Sequence, residues 1–469
     1  MREEKKNRTK VLLVGVDTGE EQNFEHSMEE LKSLAEAADK QVTGIIVQRM
    51  SAINQAFYIG TGKVAEVREY AIECEAEEAI FDNSLSPSQV RNLGRELDLT
   101  VLDRTNLILD IFAIRAKSKE AKLQVEAAKL QYILPRLVGM RENLSRQGGT
   151  GGKGGGSLSN KGAGETKLEL DRRKIEHRIS ELQKELDAIS RSRETMRKKR
   201  NQSRIPKVAL VGYTNAGKST ILNRMVEAYG ESSDKTVLEQ DMLFATLETS
   251  VRCIRSEDRS TLPEGKGAFG MVRENKPFFL ADTVGFIDKL PHGLVKAFRS
   301  TLEEVKYADL LVQVVDFSDE HYKQHMEVTA ETLQELGAGN IPQVIVYNKA
   351  DICNVKGEHS MEGEHSMERE HSAEEKHSIE HLPKIRGRQI YMAAASGIGL
   401  QELRNLIAEC VYADCVEKEM FLPYDKGNVI SYFMENATVL EQEYREDGIR
   451  IKVSCHKSDA DKYAEYVAV

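Results

Sequence analysis

The stretch that most constrains this chain runs Val208-Ala-Leu-Val211-Gly212-Tyr213-Thr214-Asn215-Ala216-Gly217-Lys218-Ser219-Thr220, an apolar run that breaks into a glycine loop and then a helical pattern. It reads as strand, phosphate loop and helix, so the chain is expected to be α/β. Gly212 and Gly217 let backbone N–H groups turn toward an anion. Lys218 has the reach for terminal phosphates, and the Ser219 hydroxyl can sit on magnesium.

The loop alone does not separate ATP from GTP. Downstream, Phe278-Phe-Leu-Ala-Asp282-Thr283-Val284-Gly285 is a buried-strand run ending in an acid able to hold magnesium through water and a glycine N–H for the γ-phosphate. Val344-Ile-Val-Tyr-Asn348-Lys349-Ala-Asp351 is a second strand ending in a base-reading loop. Asp351 can accept from the guanine N1–H and exocyclic amine, a pair that adenine does not present, so GTP is the expected ligand. Between the two phosphate motifs, Asp241-Met-Leu-Phe244-Ala-Thr246-Leu offers Thr246 as a switch residue over magnesium and the γ-phosphate.

With 469 residues, 40% of them hydrophobic, the chain is long enough for about three domains with soluble cores. No secretory signal and no uninterrupted apolar run of membrane-spanning length is evident. The expected location is the cytoplasm, with peripheral membrane association as a secondary expectation. Six cysteines without a C-x-x-C pair fit reduced thiols better than disulfides or zinc. The net charge of −10 conceals an asymmetry, because Ala113 to Lys207 carries 24 Lys and Arg against 11 Asp and Glu. A basic middle suits a phosphate-rich partner; a set of solvated helix faces is the alternative.

Short apolar runs alternate with amphipathic ones from Thr9 to Arg104, implying a small parallel α/β domain over residues 1–112. Tyr58-Ile-Gly60-Thr-Gly62-Lys63 imitates a phosphate loop but has the wrong spacing and reads as a structural turn. In residues 113–204, Ala116, Leu123, Leu130 and Leu137 recur every seven residues, and Ile175, Ile179, Leu182, Leu186 and Ile189 step by four and three. Those seams predict a long helical hairpin. Its expected connection, Arg146 to Gly164, is glycine-rich, with Arg146, Lys153 and Lys161 matched to phosphates. It is either a tether or a finger ordered by RNA.

The nucleotide domain spans residues 205–411. It includes a polar insertion from Ser256 to Lys276 and a Glu-His-Ser repeat at 357–381, read as a disordered insertion without a metal site. Residues 412–469 alternate apolar and polar positions and predict a small C-terminal α+β domain.

Several local patterns carry a family resemblance. They are Tyr58-Ile-Gly-Thr-Gly-Lys63, Asp103-Arg-Thr105 with Leu107-Ile-Leu-Asp-Ile-Phe112, Lys122-Leu-Gln-Val-Glu126 and Leu134-Pro-Arg-Leu137. Further along stand Gly164-Glu-Thr-Lys-Leu-Glu169 with Asp171-Arg-Arg173, Asp241 to Leu247, Asp282-Thr-Val-Gly-Phe-Ile-Asp-Lys-Leu-Pro-His292, and Phe298 to Glu304. Through these the chain resembles the HflX family of ribosome-associated GTPases along nearly its whole length.

The resemblance implies a P-loop GTPase with magnesium that binds the large ribosomal subunit and its RNA, with the hairpin reaching toward the peptidyl-transferase region. It also implies splitting or rescue of stalled ribosomes. Neither DNA binding nor an integral membrane segment is implied, and a monomer is expected. The family's guanine-supporting Ser-Ala-Lys turn aligns with Ala393-Ala394-Ala395, which keeps the backbone N–H of Ala394 and loses the supporting side chains. GTP binding is therefore expected to be weakened yet intact.

Where many GTPases place a water-orienting glutamine, this chain has Phe286, so slow turnover alone and stimulation by ribosomal subunits are expected. By analogy with related loops, Asn215 is expected to help hold a potassium ion. Two readings compete: a GTPase acting on tRNA or a membrane partner, and an RNA-binding protein with a vestigial nucleotide site.

Overall fold

Val11 to Val16 carry only apolar or glycine side chains, so a strand there has to be covered on both faces, as a central parallel strand is. The computed structural model, which describes residues 8–19, 23–147, 159–202, 205–230, 250–255, 277–289, 304–352 and 381–467, places it so. By its contacts the chain divides into two units, one reaching to Arg191 and including Asp288 and Lys289, the other comprising the remaining described residues.

The first unit opens with β1 (Lys10–Asp17), α1 (Phe24–Ala37), β2 (Gln41–Arg49), α2 (Thr61–Glu73), β3 (Glu78–Phe81), α3 (Pro87–Leu97), β4 (Thr100–Asp103) and α4 (Arg104–Arg115). All four strands are parallel in the order β2-β1-β3-β4. One core joins Leu12, Val14 and Phe81 to Val64, Val67, Leu93 and Leu97 of α2 and α3. On α1 and α4, which touch each other, Leu31, Leu34, Leu107 and Ile111 are fully buried. The sites of several motifs noted above are structural. Gly60 N–H donates to Gln48 Oε1 at 2.9 Å while Lys63 pairs with Glu66 at 2.7 Å, so this stretch is a helix start and not a phosphate cradle. Asp103 caps α4 through Asn106 N–H at 3.0 Å and also takes Leu85 N–H, Tyr132 O–H and Arg136.

At the carboxyl end of β3 the unit buries a charged cluster. Arg104, 2% exposed, donates to Asp82 at 2.7 Å and to Glu30. Lys289 donates to the same Asp82 at 2.7 Å and to Ser27 Oγ at 3.0 Å. Burial pushes the Asp82 carboxyl up, but Arg104 and Lys289 outweigh it and hold the group below the usual carboxylate range.

The predicted hairpin is α5 (Lys119–Gln147) and α6 (Ser159–Gln202). Leu123, Ala127 and Leu182 form its seam with Leu130, Leu186 and Ile189, and Glu126 receives Arg178 at 2.8 and 3.1 Å. The helices extend further than expected: Arg146 lies in α5, and Lys161 and Gly164 lie in α6. Glycine costs about 1 kcal/mol in a helix, an amount a long flanking helix can absorb. Lys153 and the rest of the glycine run lie outside the described residues, as do the 256–276 insertion and the histidines of the repeat up to residue 380.

The second unit contains β5 (Lys207–Val211), α7 (Lys218–Tyr229), β6 (Ser250–Ile254), β7 (Phe278–Asp282), β8 (Leu310–Asp316), α8 (Tyr322–Glu335), β9 (Gln343–Asn348), β10 (Lys384–Arg386), β11 (Gln389–Tyr391) and α9 (Leu400–Val411). Its seven strands run β10-β11-β9-β8-β5-β7-β6, parallel except for the two edge strands. Val208, Leu210, Leu280, Val312 and Val346 pack against Ile221, Leu222 and Met225 of α7 and Leu403 and Ile407 of α9. The chain ends in an antiparallel sheet β12-β14-β13, formed by β12 (Cys415–Pro423), β13 (Thr438–Tyr444) and β14 (Gly448–His456). Helices α10 (Gly427–Asn436) and α11 (Lys457–Lys462) contact this sheet, and Phe433 and Ala460 from them join its core. Among the described residues no helix is long and apolar enough to cross a membrane.

Candidate nucleotide site

In a doubly wound sheet, loops at the carboxyl ends of neighbouring parallel strands converge, and β5, β7, β9 and β11 deliver their loops in this way. Leaving β5, the backbone turns through positive φ at Gly212 (143°), Asn215 (59°) and Gly217 (95°) before α7 begins at Lys218. A Cβ on Gly217 would collide with the Asn348 amide, so this position has to be glycine. Asn tolerates the left-handed region better than most residues, and Asn215 stands exposed at the turn.

Within the loop, the Lys218 ammonium is buried and donates to the carbonyls of Gly212 at 3.0 Å and Tyr213 at 2.6 Å. Burial pushes it down to about 8, against the opposing pull of Asp282. Such a lysine holds the loop curled and can turn its proton toward a phosphate. Ser219 Oγ donates to Asp282 Oδ2 at 2.7 Å, which puts two hard oxygen ligands side by side and fits a magnesium ion. Thr220 follows within α7, half-buried. Thr246, the third expected metal contact, lies outside the described residues.

The segment after β7 is zipped onto the phosphate loop. Thr214 N–H donates to Phe286 O at 2.8 Å and Phe286 N–H to Gly212 O at 3.1 Å. Thr283 Oγ donates to Leu210 O at 2.6 Å, and Val284 is buried beside it in sequence. A Cβ on Gly285 would lie 2.8 Å from Thr214 Cα and 3.0 Å from Lys218 Nζ, so only glycine allows this approach. Phe286 is 2% exposed, and its phenyl ring offers no hydrogen-bonding group that could orient a water.

Asn348 ties the base-reading end together. Its Nδ2 donates to Ala216 O at 2.9 Å, and its Oδ1 accepts from Ala394 N–H at 3.0 Å. Lys349, at φ 60°, pairs with Asp316 at 2.7 Å, and Asp351 stands half-buried on the helical turn that follows. The structure thus gives the Ala394 N–H, expected to face guanine, to Asn348. The adjoining Ala395 is exposed, and among the described residues its N–H makes no hydrogen bond. Ala393 is held by paired backbone bonds with Ile398 at 3.1 and 3.0 Å.

Two neighbours carried no sequence signal: His325 of α8, whose ring stacks on Tyr213 at 3.8 Å, and Arg224 of α7, which donates to Ala395 O at 2.9 Å. Both are distant in sequence from what they touch, so only the fold reveals them. Among the described residues no group of three or more His, Cys, Asp or Glu could hold a metal ion; the magnesium candidate rests on the Ser219–Asp282 contact itself.

The chain matches three families, described as GTP-binding GTPase N-terminal over residues 25–113, GTP-binding GTPase Middle Region over 115–200 and 50S ribosome-binding GTPase over 207–349. It is 38% identical to the GTPase HflX of Caldanaerobacter subterraneus over 97% of this chain and 93% of that one. Identity to the GTPase HflX of Alkalihalophilus pseudofirmus is 46%, over 73% of this chain and 74% of that one. A GTP-binding protein from Sulfolobus solfataricus, solved in complex with GDP, is 24% identical, over 86% of this chain and 99% of that one, with a TM-score of 0.39. Full-length likeness to curated relatives at such identities, on a chain that carries the phosphate loop and its Asp282 partner in place, means that this protein belongs to the HflX family of GTPases.

Proposed function

We propose that this protein hydrolyses GTP to GDP and phosphate on the large ribosomal subunit in the cytoplasm, and that the nucleotide state governs its grip there and its splitting or rescue of stalled ribosomes. The observation that carries the reading is the Asn348 amide, which couples the phosphate loop to the Ala393–Ala395 loop from within the stretch, residues 207–349, that matches the family described as 50S ribosome-binding GTPase. Residues 1–112, 113–204, 205–411 and 412–469 are assigned to the α/β, hairpin, GTPase and C-terminal α+β domains, and the basic hairpin supplies the RNA-facing cations.

Phosphates entering the loop take the place of the Gly212 and Tyr213 carbonyls as acceptors for Lys218. Backbone N–H groups from Tyr213 to Thr220, apart from that of Thr214, which Phe286 O takes, face the phosphates, while Thr283, Val284 and Gly285 hold the γ-phosphate side. Ser219, Asp282 and Thr246 would hold magnesium, which supplies charge neutralisation at the phosphates. Asp351 reads the guanine edge, and Asn348 and Lys349 shape its pocket. With Phe286 buried where a glutamine would orient water, turnover is slow until the subunit reorganises the segment that follows Asp282.

Sedimentation with purified large subunits tests the partner. The protein is expected to pellet with a non-hydrolysable GTP analogue and to be released with GDP. Equal pelleting in both states, or retention on tRNA or vesicles instead, would overturn this reading. Potassium at Asn215 makes a separate prediction: turnover in potassium exceeds that in sodium by at least about tenfold, the scale of one added transition-state contact. Equal rates in the two salts would remove the ion.

A further inference from the structure

The Ala393–Ala395 loop lacks polar side chains of its own, yet each of its carbonyls is engaged. Ala393 O accepts from Ile398 N–H at 3.0 Å and Ser396 Oγ at 3.2 Å, and Ala394 O accepts from Gly397 N–H at 3.1 Å. Those bonds close the turn on itself. Ala395 O is held differently, by the Arg224 guanidinium of α7 at 2.9 Å. Helix α7 starts at Lys218, so the helix that presents Lys218 to the phosphates also clamps the loop at the base. Glu227, one helical turn on, pairs with Arg224 at 3.2 Å and steadies it, and Arg404 of α9 lies over the ring of Tyr229 at 5.5 Å, fixing α9 against the end of α7.

We propose that Arg224 is a positioning residue for guanine recognition: by fixing the Ala395 carbonyl it holds the backbone of Ala395 so that its N–H, which Asn348 does not take, is available to guanine O6, a task that side chains of the loop cannot perform in this chain. The inference rests on the GTP-binding reading given above. A guanidinium suits the role because its planar donors hold direction and its charge strengthens a bond to a neutral carbonyl. Arg224 acts through the Ala395 backbone, so its effect is expected at the purine 6-position.

The test compares GTP, ATP and 6-thioguanosine triphosphate on the full chain by equilibrium titration with magnesium. The thio analogue keeps the groups that Asp351 reads and presents a poor acceptor at position 6. Arg224→Ala is expected to weaken GTP by about 5- to 10-fold, the net effect of one hydrogen bond, and the thio analogue by less than about 2-fold. Arg224→Gln, which still donates without charge, is expected to recover part of the loss for GTP. Unchanged GTP affinity in Arg224→Ala would overturn the proposal, and so would equal losses for GTP and the thio analogue, which point to general loosening of the site. Recovery by Arg224→Lys with none by Arg224→Gln would overturn it too, assigning the effect to charge near the triphosphate. No preference of the unaltered chain for GTP over ATP would overturn the parent reading and this one with it, whereas a GTP-selective chain indifferent to Arg224→Ala would sink this one alone.

Discussion

Lys218→Ala is expected to lower kcat/KM for GTP by about 100- to 1000-fold, the usual loss when one preorganised donor is removed from a charge-stabilising site. The buried ammonium is bonded to the carbonyls of Gly212 and Tyr213, so alanine removes both the cation facing the phosphates and the tie that keeps the loop curled. A pH dependence follows from its environment. Burial lowers this lysine to about 8, so in the nucleotide-free chain it loses its proton as pH rises through that value. An anionic ligand favours the charged form, hence GTP affinity declines above pH 8 in the unaltered chain and is flat there in Lys218→Ala. GTP turnover and nucleotide-dependent subunit release both left intact by the substitution would favour an RNA-binding protein with a vestigial nucleotide site.

Arg104→Leu is expected to destabilise the first unit by about 3–5 kcal/mol, because it removes the buried guanidinium that two buried carboxylates share. Asp82 would keep Lys289, but Glu30 would lose Arg104. The measurement is a urea titration of the full chain followed by hydrogen exchange in β3 and α4. A loss under about 1 kcal/mol would mean that water or a rearranged Lys289 replaces the guanidinium. The acid limb has a definite sign: Asp82 is held below its unfolded value, so its contribution is complete above about pH 4 and disappears as pH falls through the depressed folded value.

Much of the fold was legible in local chemistry. The apolar runs at Val11, Val42, Ala79 and Val101 became the four parallel strands, and the Leu123 and Leu182 stripes became the hairpin seam. Period and apolarity suffice where burial decides structure. Helix ends were less legible, because Gly162 and Gly164 argue locally for a loop while α6 begins at Ser159. For the site, spacing picked out the phosphate loop at Lys218 and the Asn348 strand end that the fold brings together, whereas Ala393–Ala395 came only through the family resemblance. It did not reveal which hydrogen bond each makes. The Ala394 N–H turned out to serve Asn348, and the clamp on Ala395 comes from Arg224, well over a hundred residues earlier in the chain. Such pairings depend on how α7 packs beside the β11 loop, which no local pattern encodes. Thr246 and Lys153 fall outside the described residues, so their expected contacts with magnesium and RNA rest on motif alone.

The most direct measurement is steady-state GTP turnover by the full chain with and without purified large ribosomal subunits, in potassium and magnesium. Slow turnover alone, rising by at least about tenfold with subunits, is the expected result, as one additional stabilising contact in the transition state would produce. A rate unchanged by saturating subunits would contradict control of this GTPase by the ribosome.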